Sequence, residues 1–472
     1  MKRCITIITA IIFCNITLFS SSLKKTYYKG YTLEEIIALG LPVMVVETVN
    51  GEEPVAENVL APEGCIGQST RNQTRVPGRL VMIEKGDTVY DSGEYIDDVS
   101  GMTIRIRGNS TGYAYLKKPY KIKLQKKADL LNRGDDDKYK DKHWVITHDE
   151  FNDLATICGN KINELMGLQW TPEMKFINLF MNGEYRGYYF LTESVRRNTR
   201  CRLNVDKDGM IFEYDPYWWN EDFYINSSYV QNYTFKYPDE EDIKEEDSLY
   251  YCSIIQQFEN AVRNNDIEDI IDINSFASWI LAQDILGNRD NAGSNIFLTK
   301  YDRSNDSKIM MGNMWDYAVI FKMKNSWANI HSVKDFVFCD LFDNNCMPFI
   351  NSYKAKWDEV SGNIFEEMTE FINKYTESEE YQGLLNSRYA NARRWDNYDR
   401  VSMDDEVNEA LEWFSTRKSF LDPAIDDLYQ KAKINTPIYQ KTYKGKSYNL
   451  YGIPAGENDR IIITNKKKYI IR

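Results

Sequence analysis

The stretch Trp279-Ile280-Leu281-Ala282-Gln283-Asp284-Ile285-Leu286-Gly287-Asn288-Arg289-Asp290-Asn291-Ala292-Gly293-Ser294-Asn295 decides how this chain is read. Its first eight residues form an apolar, helix-like run. Gly287 and the polar residues after it end that run in a turn, because glycine stops helices and Asn and Asp favour turns. A β-branched and aromatic run, Asn295 to Lys300, follows. After a polar loop comes a second one, Lys308 to Asp316. The expected order is helix, loop, strand, loop, strand. Asp290 sits in the first loop, and Asp316 ends the second strand.

Four residues separate Asp290 from Asn295. That is the spacing of a protein-kinase catalytic loop, where the Asp takes the acceptor proton and the Asn holds a metal. Asp316 then falls where such an enzyme places its magnesium-binding Asp. Phosphoryl transfer asks for a carboxylate near the attacking hydroxyl and for hard oxygen ligands around Mg²⁺. Asn288, Asp290 and Asn291 read equally well as turn formers that close Asx-type hydrogen bonds. Spacing alone leaves both readings open.

Outward from this stretch, composition sets bounds. The chain has 472 residues, enough for about three domains or for two intimately packed lobes. Hydrophobic residues make up 43% and aromatics 14%, so a large core is expected and a disordered chain is excluded. The net charge of −13 argues against a nucleic-acid or anionic-membrane surface as the main partner.

The N-terminus reads as a signal peptide over residues 1–22. Lys2 and Arg3 precede an apolar run that ends in Ser20-Ser21-Ser22. The implied location is secreted, cell-surface or periplasmic, with no transmembrane segment in the mature chain. Six cysteines remain after residue 22, at irregular spacings that define no pairing and no zinc site.

Residues 23–100 read as β-rich, with strands at Val43–Val49 and Arg79–Glu84. Next comes Thr103-Ile104-Arg105-Ile106-Arg107-Gly108-Asn109-Ser110-Thr111, where Arg105 and Arg107 share one strand face. The following strand begins near Pro119 and puts Tyr120, Ile122 and Leu124 on one face. This hairpin is either a solvated cationic ribbon or a glycine turn whose Arg107 and Lys118 face phosphates. A helix is expected over about Asn152–Met166. Asn182-Gly183 joins two alternating strands in a hairpin. Glu193 ends the second of these strands, and as an acid in apolar surroundings it needs a cation, for which Lys118 is the candidate. Tyr217, Trp218 and Trp219 in one loop suit either sugar stacking or packing on their own lobe. Helical spacing recurs over Lys334–Asn344, Ser352–Lys374 and Asp404–Leu428. The end, residues 431–472, reads as small β-strands.

Taken in order, the motifs carry a resemblance. They are Arg107-Gly108-Asn109-Ser110-Thr111, Lys117-Lys118-Pro119-Tyr120, Lys126-Lys127-Ala128-Asp129-Leu130-Leu131 and Asn160-Lys161. Met181-Asn182-Gly183-Glu184-Tyr185-Arg186-Gly187, Leu191-Thr192-Glu193, Gly287-Asn288-Arg289-Asp290 with Asn295, and Trp315-Asp316 follow. This set resembles the CotH family, the spore-coat-protein-H-like atypical protein kinases. The resemblance covers about residues 101–430. It implies an α+β, divergent two-lobed kinase-like fold with an N-lobe over about 101–240 and a C-lobe over about 241–430. It implies ATP with Mg²⁺ or Mn²⁺ as cofactors and transfer of phosphate to Ser or Thr of a secreted or cell-surface protein. By resemblance, Asp290 is the active-site acid, Asp316 holds the metal, and Lys118 and Glu193 serve the nucleotide; the loop spacing adds Asn295 as a metal ligand, and the hairpin adds Arg107 at the phosphates. The chain departs from the family pattern twice. The family often has Trp-Asp-x-Asp, and here Ala318 replaces the second acid. The family also favours Arg where Gly159 stands. These departures keep open a pseudokinase, or a structural or adhesive surface protein on the same fold.

Overall fold

The computed structural model describes residues 30–435, except 66, 73, 135, 150, 228–231, 334 and 335. It also describes the backbone of three short strands, Ser447–Asn449, Ile461–Thr464 and Lys467–Ile470, which pair as one antiparallel sheet. The expected signal peptide lies outside the described residues.

Ten strands precede residue 200: β1 (Val43–Thr48), β2 (Ala56–Leu60), β3 (Gln68–Asn72), β4 (Val76–Glu84), β5 (Asp87–Asp91), β6 (Met102–Ile106), β7 (Tyr120–Ala128), β8 (Asp141–Thr147), β9 (Met174–Met181) and β10 (Glu184–Glu193). Eight of them form one sheet in the order β1-β9-β10-β8-β7-β6-β4-β5. β1 also pairs with β4, so the sheet closes into a barrel with β5 appended to β4. The barrel draws strands from both sides of residue 100. Because side chains alternate along a strand, one parity of each strand fills the interior. Ile104, Ile106, Tyr120, Ile122, Trp144 and Ile146 lie there. The other parity faces out. Arg105 pairs with Lys121 and Lys121 with Val145, which sets a row of three outward residues across β6, β7 and β8. The Asn-Gly hairpin forms as expected. Asn182 has φ 51° and Gly183 φ 76°, the pair of left-handed residues that matches strand twist in a two-residue turn.

A second sheet follows from β11 (Met210–Tyr214), β12 (Ile225–Asn226), β13 (Asn232–Tyr237), β14 (Ile296–Lys300) and β15 (Ile309–Met311), in the order β12-β13-β11-β14-β15. The helices are α1 (Leu33–Ile37), α2 (Ser110–Ala114), α3 (Asp153–Leu165), α4 (Glu245–Arg263), α5 (Ile273–Leu286), α6 (Asp340–Asp343), α7 (Met347–Val360), α8 (Ile364–Thr376), α9 (Glu379–Trp395) and α10 (Asp404–Asn435). The fold is mixed α+β, β-rich before about residue 240 and largely helical after it.

α3 falls where expected, with Asn152 as its N-cap accepting from the Ala155 amide at 2.9 Å. The run at 352–374 is two helices, because the chain turns between Val360 and Ile364. The run at 334–344 shrinks to a 3₁₀ turn and the four-residue α6. α5 is buried almost all round, from Phe276 to Leu286, so it runs through the core rather than along its surface. Asp272 caps its start through the Ser275 amide at 2.8 Å. Gly287 ends it in the left-handed region, φ 56°, and a Cβ there would meet the Trp413 ring at 2.3 Å. The six described cysteines are all free. Among the described residues no helix is long and apolar enough to cross a membrane.

Candidate active site

The end of α5 and the strands after it build the site. Asn288 is buried. Its side-chain oxygen accepts from the Asp290 amide at 2.9 Å, and its side-chain amide donates to Gln283 at 3.0 Å. The turn reading of these residues is therefore correct for Asn288, and that turn is what presents Asp290. Asn291 accepts from the Ile330 amide at 3.1 Å. Below the loop, Arg417 donates to the Asp284 carbonyl at 2.9 and 2.7 Å, and Trp413 donates to the Ile285 carbonyl at 2.9 Å. The Asp284 carboxylate is fully buried. It accepts from the Ala328 amide at 3.0 Å and from the Tyr353 hydroxyl at 2.8 Å, and it lies 2.7 Å from His331 Nε2. Asp290 thus rides on a loop anchored from below by Arg417, Trp413 and the Asn288 and Asn291 side chains, the arrangement a precisely held catalytic group needs.

A polar cleft of about 600 Å³ opens between the barrel wall and the second sheet. Asp290, Asn295, Asp316 and Arg107 all line it. Asn295 and Asp316 both adopt left-handed backbone, φ 58° and 64°. For residues other than glycine this is uncommon, although Asn and Asp adopt it more readily than most. The Asn295 side-chain amide donates to Ser294 at 3.1 Å. Asp290 is lifted above the ordinary aspartate value, first by desolvation and then by Asp316. Two carboxylates and a side-chain amide lining one cleft offer hard oxygens that suit Mg²⁺ or Mn²⁺, with phosphate oxygens completing the shell. Among the described residues no cluster of three or more His, Cys, Asp or Glu forms a metal cage by itself.

The barrel wall supplies cations. Arg105, Arg107 and Lys121 line the cleft, and among the described residues none of them forms an ion pair. Arg107 lies over the Trp315 ring at 5.7 Å. Burial lowers its pKa, opposed by Asp316 and Glu213. Lys121 is pushed well below the ordinary lysine value, first by burial and then by Arg105, Arg196, Lys236 and Arg107. Cations gathered on one wall without an ion-pair partner suit an anion. The opposite wall carries Glu213, Asp215, Glu221 and Lys236. Lys236 lies 2.5 Å from Glu213.

The expected Lys118–Glu193 pair does not form. Lys118 donates to the Gly112 carbonyl at 2.8 Å and the Tyr113 carbonyl at 3.3 Å, and it lines a different cavity with Leu116, Val55 and Trp395. Glu193 is 1% exposed. It accepts from Arg133 at 3.1 Å and from the Glu173 amide at 3.1 Å, with Arg202 at 3.7 Å. Register explains the miss. Glu193 pairs with Trp144 and Trp144 with Ile122. Lys118 precedes Ile122 by four residues, roughly 14 Å of extended chain at about 3.4 Å per residue. Neither Lys118 nor Glu193 lines the cleft. Lys121 does, and its signal was in the sequence: it alternates with Tyr120 and Ile122, which fill the barrel. Lys236 and Glu213 show the same signal, as charges within the apolar runs of β13 and β11.

The hairpin of β2 and β3 spans the mouth of the cleft. Ser69 donates to Asn109 Oδ1 at 2.6 Å and Thr70 to the Asn109 carbonyl at 2.7 Å, which ties it to the glycine turn. Asn220 donates to Ser69 at 3.0 Å and ties it to the other wall. Of the aromatic loop, Tyr217 lines the cleft and Trp218 packs edge-on against Tyr224 at 4.5 Å.

A smaller cavity of about 140 Å³ lies behind Asp316, lined by Asp149, Phe151, Phe190, Tyr317 and Ala318. Here the two departures from the family pattern meet. A Cβ on Gly159 would stand 2.1 Å from the Tyr317 ring. Tyr317 therefore occupies the space that a side chain at 159 would need, and Ala318, in place of an acid, faces the smaller cavity.

The family profile described as CotH kinase protein matches residues 104–421. That span is well over half of the chain, and the chain belongs to the CotH kinase family. Among solved structures, the crystal structure of a Helicobacter pylori proinflammatory kinase, CtkA, matches 62% of this chain and 91% of that one, at 10% identity and a TM-score of 0.25. So loose a superposition transfers no residue roles. A search of curated proteins finds no match.

Proposed function

We propose that this protein is an atypical kinase that binds ATP with Mg²⁺ or Mn²⁺ and transfers phosphate to Ser or Thr of a protein. The observation that carries this is the presence of Arg105, Arg107 and Lys121 on one wall with Asp290, Asn295 and Asp316 at the same cleft. In protein kinases a glycine-rich loop covers the phosphates and a third-strand lysine contacts them. Here the glycine turn joins β6 to β7, and β8 is the third strand of that unit. β8 presents Val145 to the cleft, and Lys121 stands directly opposite it on β7. Lys121 takes the phosphate role in which the resemblance put Lys118. Arg107 assists it, Asn295 and Asp316 hold the metal, and Asp290 accepts the proton of the attacking hydroxyl. When bound, the metal neutralises charge on the phosphates. The barrel with α3 is read as the nucleotide lobe, and the second sheet with the later helices as the other. The acceptor is read as a secreted or cell-surface protein, reached after export directed by residues 1–22.

Incubation with radiolabelled ATP and Mg²⁺ or Mn²⁺ tests this. Label transfer to the chain itself or to a generic acceptor is expected. Asp290→Ala should lower it on the order of 10²-fold or more and leave ATP affinity nearly unchanged. Transfer unaffected by that change removes Asp290 from the role. Ala318 favours a second reading, a module that binds ATP with metal and transfers nothing. Metal-dependent binding by calorimetry, with no transfer under any metal, is its signature.

A further inference from the structure

The loop that carries Asp290 and the segment that follows Asp316 are zipped together by backbone hydrogen bonds. The Arg289 amide donates to the Val319 carbonyl at 3.3 Å, and the Phe321 amide donates to the Leu286 carbonyl at 2.8 Å. The Lys322 amide reaches the Gly287 carbonyl at 3.4 Å. Arg289 directly precedes Asp290. Val319 follows Asp316 by three residues, inside a turn closed by the Ile320 amide on the Tyr317 carbonyl at 3.3 Å. The spacing of the two acids therefore depends on how these two pieces of backbone are held side by side.

One side chain closes the far end of the zip. Arg417, on α10, is 1% exposed. Its Nε and Nη2 donate to the Asp284 carbonyl at 2.9 and 2.7 Å. Nη1 donates to the Met323 and Lys324 carbonyls at 2.5 and 2.9 Å, and Nη2 to the Ser326 carbonyl at 3.0 Å. A guanidinium has five N–H donors, and these bonds use all of them. One of the carbonyls ends α5, and the others belong to the segment after Asp316. The α5 carbonyl lies at the negative end of the helix dipole, which favours a cation. The Trp413 and Phe420 rings cover the guanidinium at 5.0 and 4.8 Å. Burial lowers its pKa to about 10, with Asp284 and Tyr353 opposing, so it keeps its charge at neutral pH. No donor is left over for a ligand, and Arg417 does not line the cleft.

We propose that Arg417 is a positioning residue for phosphate transfer: it clamps the end of α5 to the segment after Asp316 and so fixes the spacing of Asp290 and Asp316 without touching either. This inference rests on the kinase reading above and adds the residue through which α10 acts on the site. Lysine cannot replace it, because an ammonium offers three donors from one point and cannot span these carbonyls. Such a clamp acts on the rate of transfer more than on nucleotide affinity. The spacing of the acids matters most when the hydroxyl and the phosphorus must be brought into line.

Transfer of radiolabelled phosphate from ATP with Mn²⁺ tests this, with kcat counted per molecule that binds ATP in calorimetry. That count removes losses from unfolding. Arg417→Lys should lower kcat roughly 10-fold or more and leave KM for ATP within about threefold. Added to Asp290→Ala, it should cost less than about threefold more, because the two residues act as a unit. Arg417→Gln, which is neutral, covers the case in which a buried ammonium prevents folding, and the same outcomes apply to it. Glu412→Gln, which breaks the exposed pair with Lys324 on the same segment, should leave kcat unchanged. An unchanged kcat per binding molecule in the Arg417 variants would overturn the proposal, since a purely structural role lowers only the number of such molecules. So would a full, multiplying loss on top of Asp290→Ala. A wild type that transfers while its Arg417 variants match it removes this role alone. A wild type that transfers nothing removes the kinase reading together with it.

Discussion

The two walls of the cleft are both sheet faces, and their charges are handled in opposite ways. On the second sheet, Glu213 has Lys236, and Asp215 has Thr234 and a backbone amide. On the barrel, Arg105 and Lys121 stand directly opposite one another with no ion-pair partner among the described residues. Like charges opposed across strands destabilise a sheet. The barrel bears this at its cleft face, while its interior is filled by apolar residues. Glu213 and Asp215 are thus bonded within their own wall, whereas Arg105 and Lys121 face the cleft, the side on which the proposed function puts the phosphates.

Removing charge from the barrel wall should produce the largest effect. Lys121→Met or Arg107→Gln should weaken binding of tripolyphosphate with Mg²⁺ by roughly 10- to 100-fold, the worth of a charge-assisted contact. Lys118→Met should change it less than twofold, because that ammonium serves the α2 carbonyls. Equal losses at 118 and 121 would break the contrast. Lys121→Met should leave thermal stability unchanged or raised, since it removes one of two like charges opposed across β6 and β7.

The space behind Asp316 gives an intermediate effect. Gly159→Ala drives a methyl into the Tyr317 ring and should cost on the order of 1–3 kcal/mol in denaturant unfolding. Combining it with Tyr317→Ala should remove the clash, so the pair should be strongly non-additive. Additive losses would show that the two family departures are independent.

The smallest effect concerns pH. Burial lifts Asp149 from 3.8 to about 7, against the amides of Phe151 and Asn152, which pull it down. Asp153 adds to the lift and Arg400 opposes it. A carboxyl raised on folding stabilises the native state below its ordinary value and loses that contribution as pH rises through about 7. Asp149→Asn should therefore flatten the fall in stability between pH 5 and 8, by on the order of 1 kcal/mol. A wild type whose melting temperature rises over that range would contradict the assignment.

Much of this was legible in the sequence, for a local reason. Period-two alternation in β6 and β7, the Asn-Gly turn and the apolar run ending at Gly287 each depend on neighbours within a few residues. The same holds for the spacing from Asp290 to Asn295 and the position of Asp316. What the sequence could not order was the set of partners brought together by strand register. Lys118 and Glu193 looked like a pair because each needed one, yet register sets them far apart, and Glu193 meets Arg133 instead. Lys121 reached the cleft because a one-residue step along β7 reverses the face on which a side chain emerges. The closure of the barrel by β1 and β4, the hairpin across the cleft mouth, and Tyr317 over Gly159 also join residues far apart in the chain. Local chemistry determined which residue types were available. Register and packing, which depend on the whole sheet at once, decided which of them share a site.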